Sequence, residues 1–232
     1  MSETPADTPT IYSAYEIDFM LSLRPTEAGE TTRGQLGIHS APPAAADHVR
    51  AAVASGLRAR GKVELSEDGQ WMLGEEAQII AAALTAADRW LGMALTQGEA
   101  MRTAHVVTAG DAVLMLTQDE LDTFLVSALE DRDQVPRTLA DITRAFLDEG
   151  EGRAVSLRRV DAGSSKQELH RLMLHGDADG DLLLGHEPET AEGVLTVTPI
   201  DAQQLEGALT RLWADGISAA PDTSPAPGER ND

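Results

Sequence analysis

The chain predicts an α+β fold, a mostly antiparallel sheet built of two pseudo-repeated hairpin-plus-helix halves with helices packed on it. Three observations carry this. Strand-like runs joined by glycine-containing turns outnumber strand–helix–strand crossovers, which favours antiparallel pairing. The stretch Gly193–Trp213, GVLTVTPIDAQQLEGALTRLW, reads as a strand running into a helix, and Val113–Leu129 repeats the pattern. Hydrophobic residues make up 42% of 232, yet only 3% of the chain is aromatic, so aliphatic side chains and alanine must fill the core.

In the later copy Val194, Leu195 and Val197 form the strand, and Thr198 starts the helix as N-cap, with Pro199 at the first helical position and Asp201 completing a capping-box-like pattern. Leu205, Ala208, Leu209, Leu212 and Trp213 then recur on one helical face. In the earlier copy Val113, Leu114 and Leu116 lead into the capping box Thr117–Glu120. Its stripe is Leu121, Phe124, Leu125, Ala128 and Leu129. Cap and stripe stand three residues further apart in the later copy.

Taken in order, residues 1–10 are polar with Pro5 and Pro9 and read as a disordered N-terminus. Ile11–Leu23 alternates in period two, a half-buried strand. Pro25–Ser40, rich in Gly, Thr and Glu, reads as a loop. Val49, Val53 and Leu57 mark a helix over 42–60 that ends at Gly61 as C′ residue. A hairpin over 62–66 and 71–73 turns at Glu67-Asp68-Gly69. Helix then hairpin has a winged-helix outline, which the acidic charge makes a packing unit rather than a DNA reader.

Ile79, Ile80, Leu84, Ala87 and Leu91 mark a helix over 75–95, followed by a hairpin around Ala109-Gly110-Asp111. After the first capped helix, which stops before Pro136, come Leu139, Ile142, Phe146 and Leu147, a helix ending near Gly150. Residues 154–160 read as a strand, 168–174 as helix or strand, and 181–185 with 194–198 as the last hairpin. The expectation is one α+β domain over 11–214, in halves of about 11–135 and 136–214, then a disordered acidic tail over 215–232.

The formal net charge is −21, from 39 acidic and 18 basic residues. Such a chain is repelled by nucleic acid and anionic membranes, because phosphate affinity needs clustered Lys and Arg. There is no cysteine, hence no disulfide, thiolate metal site or cysteine nucleophile. The N-terminal stretch lacks the charge and apolar run of a signal peptide, and no window is long and apolar enough to span a membrane, so a cytoplasmic location is expected.

No phosphate loop, dinucleotide fingerprint, HExxH or GxSxG occurs. Asp177–Asp181 invites a calcium reading, but Gly180 falls at loop position 4 instead of 6 and Pro188 stands where a bidentate Glu belongs, so a β-turn is expected. The histidines lack ligand spacing. No cofactor, metal or catalytic residue is therefore expected. Asp119, Glu120, Asp122, Glu130, Asp131 and Asp133 read as a solvated helix face or, more sharply, an acidic docking surface. Trp71, Trp90 and Trp213 read as core anchors. Trp71, beside Met72 at a hairpin, is the one expected to be exposed, which makes Trp71 and Met72 the candidate partner-binding residues. Trp71→Asp is expected to abolish binding and leave thermal stability unchanged.

The helix ending in LRARG, the hairpin and helix after it, and the closing GVLTVTPIDAQQLEGALTRLW resemble the EspG-type chaperones of actinobacterial type VII (ESX) secretion. HVVTAGDAVLMLTQDELDTFLVSAL resembles the hairpin-plus-helix in the first half of that family. The resemblance implies a central sheet with pseudo-two-fold halves, a cytosolic location, and binding to the helical tip of PE–PPE secretion substrates. The chain is shorter and more acidic than typical members, and the family's binding surface is a face that yields no residue to carry over. The expected function is a non-enzymatic chaperone masking an apolar helical surface of a protein client. The alternatives are an acidic regulatory or inhibitory protein docking on a basic partner surface, and an enzyme with an unrecognised carboxylate site.

Overall fold

The computed structural model describes residues 10–119, 121–163, 170–176, 182–189 and 194–215. The first part runs β1 (Thr10–Ser13), α1 (Ala14–Ser22), α2 (Glu27–Leu36), α3 (Ala46–Ala59), β2 (Val63–Leu65), β3 (Trp71–Leu73) and α4 (Glu75–Thr85). Four strands follow, β4 (Arg89–Gln97), β5 (Ala100–Ala109), β6 (Ala112–Gln118) and β7 (Thr123–Leu129), then α5 (Val135–Asp148). Four more, β8 (Arg153–Asp161), β9 (His170–Gly176), β10 (Leu182–Glu189) and β11 (Leu195–Ile200), lead into α6 (Ala202–Asp215).

The described strands form one nine-stranded sheet in the order β1-β7-β6-β5-β4-β8-β9-β10-β11, antiparallel throughout, while β2 and β3 form a separate hairpin. The chain is thus α+β with an antiparallel sheet. Its repetition lies in topology: residues 89–148 and 153–215 are each a four-strand meander followed by a helix, joined where β4 pairs with β8. The helical counterpart of α6 is therefore α5.

The proposed first capped helix does not form. Residues 112–129 are a hairpin whose turn is held by Asp119 Oδ1, which accepts from the Leu121 and Thr123 amides at 2.9 and 3.0 Å, with Asp122 in the left-handed region. Residue types that make a capping box also make such side-chain-bonded turns. Phe124 and Val126 are buried on one face while Leu125 is 41% exposed on the other, so the true period is two. In α6 the cap is also displaced. Asp201, not Thr198, accepts from the Gln203 and Gln204 amides at 2.9 and 2.8 Å, and Gln204 Oε1 accepts from the Asp201 amide. Pro199 belongs to β11, an edge strand, where a missing N–H is tolerated.

Three other expectations change. Residues 14–22 are helical because Ser13 and Glu16 form a capping box that ends the strand at once. The expected loop over 25–40 holds α2, capped by Thr26 and closed by Gly37 at φ 66°. The helix over 75–95 stops at Thr85, and Leu91 lies in β4. Near its start Trp90 and Leu91 are buried on opposite faces, so the start of the strand reads as an apolar run with no strand alternation. The outer segments 1–9 and 216–232, the whole of Asp177–Asp181 and Glu120 lie outside the described residues.

Alternate residues of the sheet feed two cores. Trp90, Val107, Leu114, Leu116, Phe124 and Val126 meet α1 to α4 on one face. Leu91, Met93, Val106, Val155, Leu157, Leu172, Leu174 and Leu184 meet α5 and α6 on the other. Burying each such Leu contributes about 1.5–3 kcal/mol. Trp90 Nε1 donates to Thr32 Oγ1 (2.9 Å), whose hydroxyl donates to the Leu84 carbonyl, tying α2 and α4 to the sheet.

The end of α6 is clamped by charge. Arg159, 4% exposed, donates to the Leu212 and Trp213 carbonyls at 2.6 and 2.8 Å and to Asp161 Oδ2 at 2.5 Å. Arg89 donates to Asp161 Oδ1 (2.8 Å) and to the Trp213 carbonyl (2.5 Å), and stacks over the Trp213 ring at 5.2 Å. Cations at a helix C-terminus also offset its dipole. Burial alone would raise the Asp161 carboxyl, but hydrogen bonds and charge from Arg159 and Arg89 hold it below the ordinary range.

Candidate partner-binding surface

The two helical layers do not cover the sheet equally. α1 to α4 lie over the face bearing Trp90 and only on the side of β4 to β7 and β1. On that same face no described helix packs over β9 to β11, and β8 meets the helical layer at Val160 and Arg158. Strand register sets what lines this floor: Ala94, Ser156, Met173, Gly185 and Val197 form one row, and Thr96, Ala154, His175, Leu183 and Pro199 the next. Met173 is 49% exposed, Val197 59%, and Met101, on the same face at the end of β5, 62%.

Gly185 shapes the floor. A Cβ there would stand 3.4 Å from Met173 Cβ and 3.5 Å from Leu195 Cβ, ordinary contact distances, so the glycine leaves the floor between those two side chains without one of its own. Methionine on an exposed floor is adaptable, because its unbranched thioether side chain repacks against irregular shapes. Strands β8 to β11, about 4.8 Å apart, give a floor roughly 14 Å wide, room for a helix laid along it.

At the margin next to the helical layer, Arg158 donates to Gln35 of α2 at 2.9 Å. His105 stands opposite Gly92, where a Cβ would lie 3.6 Å from its Nδ1. Burial, reinforced by the Arg158 charge, pushes His105 down to about 4. Above about pH 6.5 it is neutral in both folded and unfolded chains. Between about 6.5 and 4 the unfolded chain takes a proton that the fold refuses, so stability falls with pH and the loss levels off below about 4. From about pH 7 to 5 the wild type should lose about 2 kcal/mol more than His105→Gln, read from urea midpoints.

The other singled-out residues lie elsewhere. Trp71 and Met72 sit on the β2–β3 hairpin, which packs on the helical layer and contributes nothing to the sheet floor. Met72 is exposed, while Trp71 is half-buried with its ring edge-on to Phe19, centroids 6.0 Å apart. Trp71→Asp is therefore expected to cost about 2 kcal/mol in thermal unfolding, against the unchanged stability expected from sequence. Trp90 and Trp213 are core anchors, as read.

The acidic run does not form a helix face. Asp119 and Asp122 belong to the β6–β7 turn, and Glu130, Asp131 and Asp133 to the connection after β7, at its opposite end. Asp131 accepts from the Asp133 amide, and hydrogen bonds from Thr123 and Leu121 hold Asp119 below the usual carboxylate range. His170 and His175, five apart on β9, fall on opposite faces. So do His105 and His186, the latter buried with Nε2 2.9 Å from Thr198 Oγ1. Among the described residues no group of three His, Asp or Glu is placed to hold a metal ion. A cavity of about 160 Å³ between α1 and α3 has Asp18 as its carboxylate, already paired with Arg33 at 2.7 Å.

The architecture defines a class: an α+β protein with two meander-plus-helix repeats in one antiparallel sheet, one face of which carries no described helix over β9 to β11. A solved structure with this fold is that of the Mycobacterium tuberculosis type VII secretion system chaperone EspG5 in complex with PE25-PPE41 dimer. It matches with a TM-score of 0.52 and 11% sequence identity, over 87% of this chain and 94% of that one. The likeness is one of fold. No protein-family model matches the chain, and no curated protein matches it by sequence. No described helix is long and apolar enough to cross a membrane.

Proposed function

We propose that the chain is a non-enzymatic, cytoplasmic chaperone that covers an apolar helical surface of a protein client, as chaperones of type VII secretion substrates do. The observation that carries the reading is the floor of β8 to β11, where no described helix packs over β9 to β11 and Met173 and Val197 are half exposed. Contiguous exposed apolar surface with a polar rim is the kind of feature that marks a protein-interaction site. The fold match to EspG5, solved in complex with a PE25-PPE41 dimer, supports a PE–PPE-like client. Met72, exposed on the hairpin, is proposed as a secondary contact together with Trp71.

The test is capture from the native cytosol on immobilised wild-type chain, with bound proteins identified by mass spectrometry at about 0.15 M and about 1 M salt. The reading expects a helical secretion-substrate-type protein, retained at both. A basic partner released at high salt would favour the acidic-docking alternative and overturn it.

A further inference from the structure

The cleft between α1 and α3 holds two opposite charges that the fold does not spend on each other. It encloses about 160 Å³ and shares no lining residue with the β8 to β11 floor. Phe19, Val49 and Val53 give it an apolar lining, with Tyr15, 42% exposed, beside them. Arg50 is exposed on the same lining, its guanidinium 5.8 Å from the centroid of the Phe19 ring. Stacking of this kind leaves the in-plane N–H donors unspent. Among the described residues Arg50 forms no ion pair, although the chain has 39 acidic side chains against 18 basic ones. Asp18 also lines the cleft. Its Oδ1 accepts from Arg33 Nε at 2.7 Å and from Ser40 Oγ at 3.4 Å, while among the described residues Oδ2 takes no hydrogen bond. Arg33 donates to Glu30 as well, so the group of Asp18, Glu30 and Arg33 keeps a net negative charge.

We infer that this cleft binds a free α-amino acid with an apolar side chain, its carboxylate at Arg50, its ammonium at Asp18 and its side chain against Phe19, Val49 and Val53. The site is separate from the proposed client floor and stands or falls without it. An apolar pocket with a few convergent polar groups is the usual form of a small-molecule site. A cavity of about 150 Å³ accepts a benzene ring, so this cleft suits a side chain the size of phenylalanine or leucine. Charge chooses between sources of that side chain. A free amino acid brings both charges and the apolar group on one residue, whereas the terminal residue of a polypeptide carries one of the two charges. Each charge meets an ionised partner, and charge-assisted hydrogen bonds are the stronger kind. The charged head lies beside exposed Tyr15 and Arg50, where retained hydration limits the cost of desolvating it.

The test titrates L-phenylalanine into the full chain up to about 10 mM, with NMR shift mapping. Glycine, N-acetyl-L-phenylalanine and L-phenylalaninamide are titrated beside it, and L-phenylalanine is also titrated into Arg50→Gln and Ala46→Phe. Arg50 is exposed, and thermal unfolding checks that both variants fold. The expected result is a saturable set of shifts in α1, α3 and the Ser40–Ala41 segment. Each blocked analogue, and L-phenylalanine with Arg50→Gln, should bind about tenfold more weakly. Glycine should leave those resonances unmoved, and Ala46→Phe, which adds a ring to the lining, should abolish binding. If the N-acetyl form binds as tightly as the free amino acid, the ammonium has no partner at Asp18 and the ligand class is overturned. Equal binding to wild type and Arg50→Gln overturns it in the same way for the carboxylate. If L-phenylalanine moves no resonance in α1 or α3, the cleft is not a binding site for this class.

Discussion

Asp161→Ala is expected to destabilise the chain by about 3 kcal/mol, lowering its melting temperature by roughly 6–12 °C. The reason is an asymmetry in what remains. Arg159 is 4% exposed and gives its other donors to the Leu212 and Trp213 carbonyls, so without Asp161 its charge stays buried with no counter-charge. Arg89 loses the same acceptor. The figure sits at the low end for a broken buried pair because the Asp161 side chain is itself partly exposed. Adding Arg159→Met to Asp161→Ala should recover part of the loss, since an apolar side chain carries no desolvation penalty. A loss under about 1 kcal/mol, or no recovery, would show that the clamp does not hold α6. The pH dependence has a matching sign. The depressed carboxyl contributes stability at neutral pH that is lost only as pH falls through its lowered value, and Asp161→Ala removes that part of the acid limb.

The second large effect concerns binding. Val197→Asp combined with Met173→Asp should weaken client capture by at least about 100-fold, with the melting temperature unchanged within a few degrees. Both side chains are about half exposed on strands whose opposite faces carry the core residues Leu172, Leu174 and Ile200. Charge added on the open side is solvated in the free protein but must be desolvated under a bound helix. Val197→Asp lies on an edge strand, where an inward or outward charge is readily carried. The discriminating control is Met72→Asp, on a hairpin that shares no strand with the sheet. Equal losses from Met72→Asp and from the floor variant would move the primary contact to the hairpin.

How much of this was legible depended on the element. The stripe of α6 is read correctly because five apolar residues recur at helical spacing and all are buried. Residues 117–129 are read wrongly because Leu121, Phe124, Leu125, Ala128 and Leu129 satisfy the same spacing by coincidence. Leu121 is in fact a turn residue, 82% exposed. A competing signal was present in Thr123, Val126 and the Asp119–Asp122 cluster, which favour a strand after a turn. α2 escaped notice because it buries Gly29 and Thr32 where a stripe would show large apolar residues. Its ends were nevertheless written in Thr26, Glu27, Glu30, Arg33 and Gly37.

The floor proposed for docking was not legible at all. Met173 and Val197 look like any strand residues in the sequence, and their exposure follows from where α1 to α4 stop. That is a property of packing between distant segments. The chain's repetition was sensed from the strand-into-helix pattern, but its true units are the two meanders that meet at β4 and β8.

The measurement that bears most directly on the docking face is amide hydrogen exchange on the chain with and without its captured client. The account predicts added protection in β8, β9 and β11, with the β6–β7 turn at Asp119 and the Glu130–Asp133 connection unchanged. Protection confined to those acidic segments, with β8 to β11 exchanging as in the free chain, would contradict it.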